Sequence, residues 1–248
     1  RIATSWDINI RFETEKQYEL WKKNLRTLLD NDIDVKILVS ITKDVIAMDV
    51  EDFIARMQSY GAQTYALERL TSSGAAIENT HIFPDNDEQD RWYLELLKKY
   101  QERDLGFSIQ DFDILIERLK NNVVRTYTNC RDCEQRLVTI SANGSLAGCP
   151  NAALENKFGT INDPVEYFLG HDARLTQIAK ELDFDERCLS CDMFQYCGGD
   201  CHRLSWHSGR CGGLYHTLNY LVNGKEPDDR SLNKPRVKPR IIPIKAQL

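Results

Sequence analysis

Eight cysteines are the residues of this chain best suited to chemistry, and all of them lie between positions 130 and 211 of a 248-residue sequence. Their order and spacing is Cys130-x2-Cys133, Cys149, Cys188-x2-Cys191-x5-Cys197-x3-Cys201 and Cys211. Two tight pairs and a dense run in so short a stretch indicate metal ligands rather than buried apolar side chains. Eight thiols make two sets of four, and four thiolates can hold either zinc or a [4Fe–4S] cluster. The spacing alone leaves both metals open.

The cellular setting predicted from the sequence keeps these thiols reduced. Eight cysteines are too sparse in a chain of this length for a secreted fold held together by disulfides. Residues 1–7 lack the basic, apolar and small-residue regions of a signal peptide, and no apolar run approaches the roughly 20 residues that cross a bilayer. We therefore expect a cytoplasmic protein with no membrane partner, in which the clustered cysteines bind metal.

The cysteine pattern resembles that of a known family. The matching run is Cys133-x10-Gly144-x4-Cys149, followed by Cys188-x2-Cys191-x5-Cys197-x3-Cys201 and by Cys211. This order is similar to the SPASM domain, the C-terminal extension of radical SAM enzymes that modify peptides and proteins, and it covers about residues 121–223. The resemblance implies two auxiliary [4Fe–4S] clusters with interleaved ligands. It assigns Cys130, Cys133, Cys149 and Cys201 to the first cluster, and Cys188, Cys191, Cys197 and Cys211 to the second.

Strands and helices alternate in the part of the chain that precedes the cysteines. The apolar patterns predict strands at residues 2–10, 35–41 and 64–67, and helices at residues 14–30, 50–60, 87–100 and 109–120. Such alternation is typical of βαβ units and predicts an α/β fold with a parallel sheet. The resemblance implies the second half of a partial (β/α)6 radical SAM barrel. We expect the barrel part at residues 1–121, the SPASM domain at 122–223 and a tail at 224–248.

Only short elements are predicted beyond residue 121. They are a hairpin with strands at 137–140 and 145–147 around Asn143-Gly144, and helices at 165–168, at 174–182 and from Cys211 to residue 220. Elements of this length form a small α+β unit that cannot build a sizeable core alone. Two bound metal clusters would supply the missing crosslinks.

One motif of the family is absent from this sequence. Radical SAM enzymes carry C-x3-C-x2-C near the start of the barrel, where it holds a third [4Fe–4S] cluster that binds and reductively cleaves S-adenosylmethionine. No such motif occurs between Arg1 and Leu248. Because the chain begins without Met and inside an apolar strand-like stretch, we expect the motif upstream; a form without the reaction is the alternative. The fragment alone is then inactive, and the full-length enzyme needs an external electron donor.

Two residues near the first strand are candidates for binding S-adenosylmethionine. Ser5 lies on the predicted strand and Arg11 follows it. They match a Ser and an Arg that contact S-adenosylmethionine in the family. The alternative interpretation is an ordinary turn at the end of a strand.

Two further groups of polar residues lie near the predicted sites. Glu68 and Arg69 follow a strand at its carboxyl end, where parallel barrels build their sites, and a structural ion pair is an equally good interpretation. His202 and His207 lie between two of the cysteines. We favour structural roles for both histidines, because the cysteines already fill every ligand position.

The charge distribution argues against nucleic acid as a partner. The chain has a formal net charge of −6, but its last 25 residues hold seven basic and three acidic side chains, so residues 1–223 carry −10. Such a body repels phosphate backbones. The basic tail holds four of the seven prolines and is expected to be an extended, solvated terminus.

The function implied by the resemblance is a radical SAM maturase acting on a peptide or protein. A 5′-deoxyadenosyl radical would abstract hydrogen from the substrate, and the auxiliary clusters would accept an electron or position the peptide. Sulfatase-maturating members carry Asp after the cysteine that matches Cys149, whereas this chain has Pro150. This difference favours maturases that form thioether or carbon–carbon crosslinks. The alternatives are a non-catalytic module that holds two zinc ions and a cluster-bearing protein that only binds peptides.

Overall fold

The first part of the chain folds as a parallel sheet. The computed structural model describes residues 1–121, 131–152, 156–204, 206–207 and 209–226. The strands of this sheet are β1 (Ile2–Trp6), β2 (Val35–Ile41), β3 (Thr64–Arg69) and β4 (Ser108–Ile109). They are hydrogen-bonded in the order β1-β2-β3-β4, and every pair is parallel. The prediction of an α/β fold with a parallel sheet is confirmed.

Helices pack against one face of this sheet. They are α1 (Glu15–Asp30), α2 (Lys43–Ile46), α3 (Val50–Tyr60), α4 (Asn86–Glu102) and α5 (Gln110–Lys120). Every second side chain of β2, starting at Val35, is fully buried in an apolar core formed together with the helices. Lys36, Leu38 and Ser40 lie on the other face of the sheet and are only half-buried. A parallel sheet normally has helices on both faces or closes into a barrel. Among the described residues, the second face of the sheet is only partly covered.

The boundaries of these elements follow local signals in the sequence. Helix α1 begins at a capping box in which the Thr14 hydroxyl accepts a hydrogen bond from the Gln17 backbone N–H, and Gln17 Oε1 accepts one from the Thr14 backbone N–H. Helix α3 ends at Gly61, whose φ of 75° suits glycine. The predicted strand at 2–10 was too long, because the chain turns after Trp6 and the Asp7 carbonyl accepts hydrogen bonds from the Ile10 and Arg11 N–H groups.

The second part of the chain holds a small antiparallel sheet and short helices. Strands β5 (Thr139–Ile140), β6 (Ser145–Ala147) and β7 (Lys157–Thr160) pair in that order. The helices are α6 (Cys133–Arg136), α7 (Val165–Leu169), α8 (Asp172–Leu182), α9 (Glu186–Leu189), α10 (Phe194–Cys197) and α11 (Tyr215–Asn223). The predicted hairpin is present, with Gly144 in its turn at φ 79°. Strands β4 and β7 were not predicted, because both are short and lack a clear alternation.

Parts of the predicted organisation lie outside the described residues. These are Cys130 and nearly all of the predicted tail, from residue 227 to 248. Within the described part of the chain, no helix is both long and apolar enough to cross a membrane.

Candidate metal centre

Five cysteines line one cavity of about 600 Å³ in the second part of the chain. They are Cys188, Cys191, Cys197, Cys201 and Cys211. Short elements bring them together: Cys188 lies in α9, Cys197 ends α10, and Cys211 precedes α11. Gly213 lies beside two of these thiols, since a Cβ atom at that position would be 3.4 Å from Cys197 Sγ and 3.7 Å from Cys211 Sγ. The cavity therefore has thiol sulfur atoms from three separate segments on its walls.

Four of these thiols interact electrostatically with one another. Burial raises the pKa of Cys197 well above its ordinary value, and the charges of Asp200 and Cys211 raise it further. Burial raises the pKa of Cys211 to about 12, with additional contributions from Cys191 and Cys188. Thiols in this setting stay protonated unless a positive charge is added. A metal ion supplies that charge and converts such thiols into thiolate ligands.

A second pair of cysteines is linked through a buried carboxylate. Burial raises the pKa of Cys149, and the neighbouring Cys201 raises it further. Glu134, which follows Cys133 in α6, is fully buried and accepts a hydrogen bond of 3.1 Å from the Cys149 backbone N–H. Its other carboxylate oxygen accepts one of 3.0 Å from Arg203, two residues after Cys201. Glu134 thus holds the segments that carry three cysteines in one place.

Close backbone packing accompanies this carboxylate. A Cβ atom at Gly148 would lie 1.8 Å from Glu134 Oε2, so only glycine fits between the carboxylate and Cys149. Arg131 donates hydrogen bonds to four backbone carbonyls, two of them on Gly199 and Asp200. The segment immediately after Cys130 is therefore bound to the loop that carries Cys201.

The described cysteine side chains do not adopt a metal-binding geometry. Over the residues that the structure describes, no three Cys, His, Asp or Glu side chains converge closely enough to hold a metal ion. Neighbouring thiols raise one another's pKa and gain nothing from closer approach until a cation binds them. The donor set, the shared cavity and the nearby guanidinium groups fit a thiolate-bound cluster. The assignment of individual cysteines to two clusters stays a prediction.

A buried ion pair joins the cavity to the parallel sheet. Arg69, at the carboxyl end of β3, donates two hydrogen bonds of 2.7 and 3.0 Å to the carboxylate of Asp200, and one of 2.7 Å to the Gly212 carbonyl. The side chains of Arg69 and Asp200 are 8% and 3% exposed. Asp200 precedes Cys201, and Gly212 follows Cys211. The sequence interpretation of Arg69 as an ion-pair partner agrees with this contact, although its partner is 131 residues away.

Helix α4 binds the N-terminus of α11, the helix that follows Cys211, through hydrogen bonds. Asp90 accepts hydrogen bonds from the backbone N–H groups of His216 and Thr217, at 2.6 and 3.1 Å. These groups lie at the N-terminus of α11, which has no local side-chain cap. Burial raises the pKa of Asp90. Asp87 accepts a hydrogen bond of 3.0 Å from His216 Nε2.

The candidates for binding S-adenosylmethionine lie near the carboxyl end of β1. Ser5 pairs with Leu38 of β2 on the sheet face opposite the helices. Arg11 donates a 2.7 Å hydrogen bond to the buried carboxylate of Asp7, which also accepts one from Ser40. The structure therefore places both residues at one end of the sheet. Their role in binding S-adenosylmethionine stays a prediction.

The two histidines have different surroundings. His202 lines the cysteine cavity, and neither of its buried ring nitrogens has a hydrogen-bond partner among the described residues. Burial lowers the pKa of His202 to about 4, and Arg203 and Arg131 lower it further. His207 is exposed, and its Nδ1 lies 3.3 Å from Asp85.

Sequence reasoning missed several charged residues of this site, and four of them make its main contacts to backbone groups or ion-pair partners. They are Asp90, Arg131, Glu134 and Asp200. Three of them are adjacent to a cysteine in the sequence, which is the only signal that could have drawn attention to them. Asp90 has no such neighbour.

Several solved structures are similar to this chain in their fold, including three of anSMEcpe. Native anSMEcpe with bound AdoMet matches with a TM-score of 0.65 and 14% identity, over 90% of this chain and 68% of that chain. The complex with AdoMet and Cp18Cys peptide matches with a TM-score of 0.64 and 15% identity, over 84% and 60%. The complex with Kp18Cys peptide matches with a TM-score of 0.65 and 14% identity, over 90% and 66%.

The similarity to known proteins lies in the three-dimensional fold and not in the sequence. No protein-family model matches the sequence, and a search of the curated proteins gave no match. The chain spans between 60% and 68% of the length of the three anSMEcpe chains. At this level of sequence identity the similarity concerns the arrangement of helices and strands. This chain therefore shares its fold with anSMEcpe, whose solved structures hold bound AdoMet.

Proposed function

We propose that this chain is part of a radical SAM maturase that modifies a peptide or protein substrate. The observation that carries the proposal is the set of four electrostatically linked thiols around one cavity, in a chain with the anSMEcpe fold. The modification proposed is a thioether or carbon–carbon crosslink, on the sequence argument from Pro150. Residues 1–121 would be the later part of the barrel and residues 122–223 a SPASM domain.

Two auxiliary [4Fe–4S] clusters are proposed as resident cofactors. Cys130, Cys133, Cys149 and Cys201 would hold one, and Cys188, Cys191, Cys197 and Cys211 the other. When bound, such clusters transfer single electrons. The guanidinium groups beside the thiols favour this ligation, because each lowers the pKa of a neighbouring cysteine.

Those guanidinium groups come from three places in the chain. Arg69 lowers the pKa of Cys197, and Arg203 lowers that of Cys149. Arg131 lowers the pKa of Cys188. In each case burial acts in the opposite direction and dominates. The positive charges reduce the cost of forming buried thiolates and would partly neutralise a negatively charged cluster.

The reaction would take place at the carboxyl end of the sheet. Ser5 and Arg11 are proposed to bind S-adenosylmethionine there, and a third cluster on an upstream C-x3-C-x2-C motif would cleave it with an electron from an external donor. A peptide partner is supported by the solved anSMEcpe complexes, which hold AdoMet together with peptides. A reducing, cytoplasmic setting would keep the thiols available as ligands.

The test is anaerobic reconstitution of the chain with iron and sulfide. We expect about eight iron and eight sulfide per chain, with the brown charge-transfer absorbance of iron–sulfur clusters. Stoichiometric zinc in a colourless protein would instead support the non-catalytic module. With dithionite and S-adenosylmethionine, residues 1–248 alone should release no 5′-deoxyadenosine, because all eight thiolates belong to closed quartets. Release that depends on one of these cysteines would show an open cluster and overturn the ligand assignment.

A further inference from the structure

A second cavity of about 330 Å³ lies beside the cysteine cavity at the carboxyl end of β3. Its walls come from the connection between β3 and α4, from the first turns of α4 and from the loop before Cys211. Most of the wall is apolar and includes Leu70, Ile77, Phe83 and Leu204. Leu204 also lines the cysteine cavity, so the two spaces share a wall.

The side-chain amide of Gln89 is a polar group in the wall of this cavity. The residue is 4% exposed and lines the cavity from helix α4. A polar group in a largely apolar cavity wall favours a ligand that can form hydrogen bonds with it. The Gln89 amide has an NH2 group that donates and a carbonyl oxygen that accepts, so it can pair with both the C=O and the N–H groups of a peptide backbone.

The scarcity of charged side chains in the described cavity wall favours an uncharged ligand. Among the described residues that line it, none is Asp, Glu, Lys or Arg, and the one ionisable side chain is His207, which lies 3.3 Å from Asp85. A volume near the lower limit of ligand pockets suits one or two residues of a peptide rather than a nucleotide. A charged side chain would lose its hydration there without gaining an opposite charge.

We propose that this cavity is the subsite that binds an uncharged, apolar residue of the peptide substrate, with Gln89 hydrogen-bonded to the backbone of that residue. The inference rests on the proposed function and names a specificity determinant for it. Because Leu204 and Asn86 line both cavities, the residues next to the bound one along the peptide would lie at the cysteine cavity. The apolar walls select the side chain, and Gln89 fixes its orientation.

Saturation-transfer NMR with short neutral peptides tests this subsite. The probes are N-acetyl-Gly-Leu-Gly-amide, the same peptide with Gly at the centre, and the same peptide with Lys at the centre. We expect the leucine methyl groups to receive the strongest saturation, and the leucine probe to bind at least tenfold more tightly than either of the others. Ile77→Trp should fill the cavity and reduce leucine-probe binding at least tenfold. Gln89→Met keeps the volume and removes the hydrogen bonds, so it should weaken binding about fivefold.

Leu20→Trp is the matched control for cavity filling. Leu20 lies on α1 and is 56% exposed, while Ile77 is 54% exposed, so both substitutions are tolerated by the fold. Equal binding of the three probes, or unchanged leucine binding in Ile77→Trp, would overturn the subsite. Iron and sulfide content is measured on the same samples. Full iron without probe selectivity refutes the subsite alone, whereas probe selectivity in a zinc protein refutes the maturase and keeps the apolar binding site.

Discussion

The sheet part of this chain and the cysteine part are stabilised in different ways. In residues 1–121 one continuous apolar core draws on all four strands and on helices α1 to α5. In the described residues from 131 onward, the apolar cluster is small and is centred on Met193 and Leu218, with Leu115 contributed by the sheet part. The other buried residues of this part include charged side chains, among them Glu134, Glu181 and Asp200.

This difference indicates where metal would matter for stability. Apolar burial stabilises the sheet part without a ligand. The cysteine part depends on ion pairs and on hydrogen bonds to backbone groups, which contribute little net free energy unless every partner is in place. Crosslinking by bound metal would supply the rest. We expect loss of metal to destabilise the cysteine part and to leave the sheet part largely unaffected.

The largest expected effect comes from single cysteine substitutions. Cys197→Ala and Cys201→Ala lie four residues apart, but the proposed ligand sets place them in different clusters. Each variant should lose about half of the iron and keep the spectrum of the other cluster. Hydrogen exchange should quicken in residues 131–226, while the strands of the sheet part keep their protection.

Cys188→Ala is the control for this assignment. It should reproduce the iron content and the spectrum of Cys197→Ala, because both residues are assigned to the same cluster. Distinct spectra for these two variants would contradict the assignment. Faster exchange in the sheet strands would contradict the independence of the two parts.

A smaller effect is expected where the two parts are joined. Arg69→Met leaves the buried carboxylate of Asp200 without its partner, and we expect a loss of about 3 kcal/mol in the free energy of unfolding. Combining Arg69→Met with Asp200→Leu should restore part of this loss, since no buried charge remains. Denaturant unfolding of metal-loaded protein provides the measurement.

An exposed ion pair serves as the control for the buried one. In the Arg26–Asp30 pair on α1 the side chains are 71% and 62% exposed. Arg26→Met should therefore change the free energy of unfolding by less than about 0.5 kcal/mol. Similar losses in Arg69→Met and Arg26→Met would mean that the buried pair does not join the two parts.

The smallest expected effect concerns pH and the sheet part. Asp111 accepts a 2.7 Å hydrogen bond from the Leu67 N–H, and burial raises the pKa of its carboxyl group. Because the folded chain then holds this proton more tightly than the unfolded chain, the free energy of unfolding falls as pH rises from about 4 through the folded-state pKa. Asp111→Asn keeps an acceptor and removes the titration. It should be slightly more stable than the parent at pH 7, with a smaller difference at pH 4.

Asp111→Leu separates the charge from the hydrogen bond. This variant leaves the Leu67 N–H without its acceptor, so it should be less stable than Asp111→Asn at both pH values. Thermal unfolding at pH 4 and pH 7 measures all three proteins. An Asn variant that loses stability at pH 7 would show that the charged form is the stabilising one.

Most helices and strands of the sheet part could be predicted from the sequence. The hydrogen bonds and ion pairs that join distant elements could not. The periodicity of β2 and the glycine after α3 are local signals, and both elements have the predicted bounds. Strand β4 has two residues and β7 has four, which is too few for a pattern. The contact between Arg69 and Asp200 spans 131 residues and depends on the fold, so no local signal predicts it.

In the candidate site, too, local sequence spacing is predictive and contacts between distant residues are not. Cysteine spacing predicts that Cys188 and Cys191 lie near one another, because residues three positions apart in the sequence are close in space, and both thiols line the same cavity. It could not predict Glu134, whose carboxylate is needed only because the fold brings the Cys149 backbone and Arg203 together. Glycine at position 148 is likewise explained only by that carboxylate.

The docking of α11 onto Asp90 has a consequence for the order of folding. Helix α11 has nine residues and no cap of its own, so it is only marginally stable in isolation. The Asp90 carboxylate that satisfies its first N–H groups lies about 126 residues earlier in the chain. Closing a loop of that length is slow compared with forming neighbouring βαβ units. The sheet part therefore folds first and provides the surface on which the last helix, and with it the loop that carries Cys211, becomes ordered.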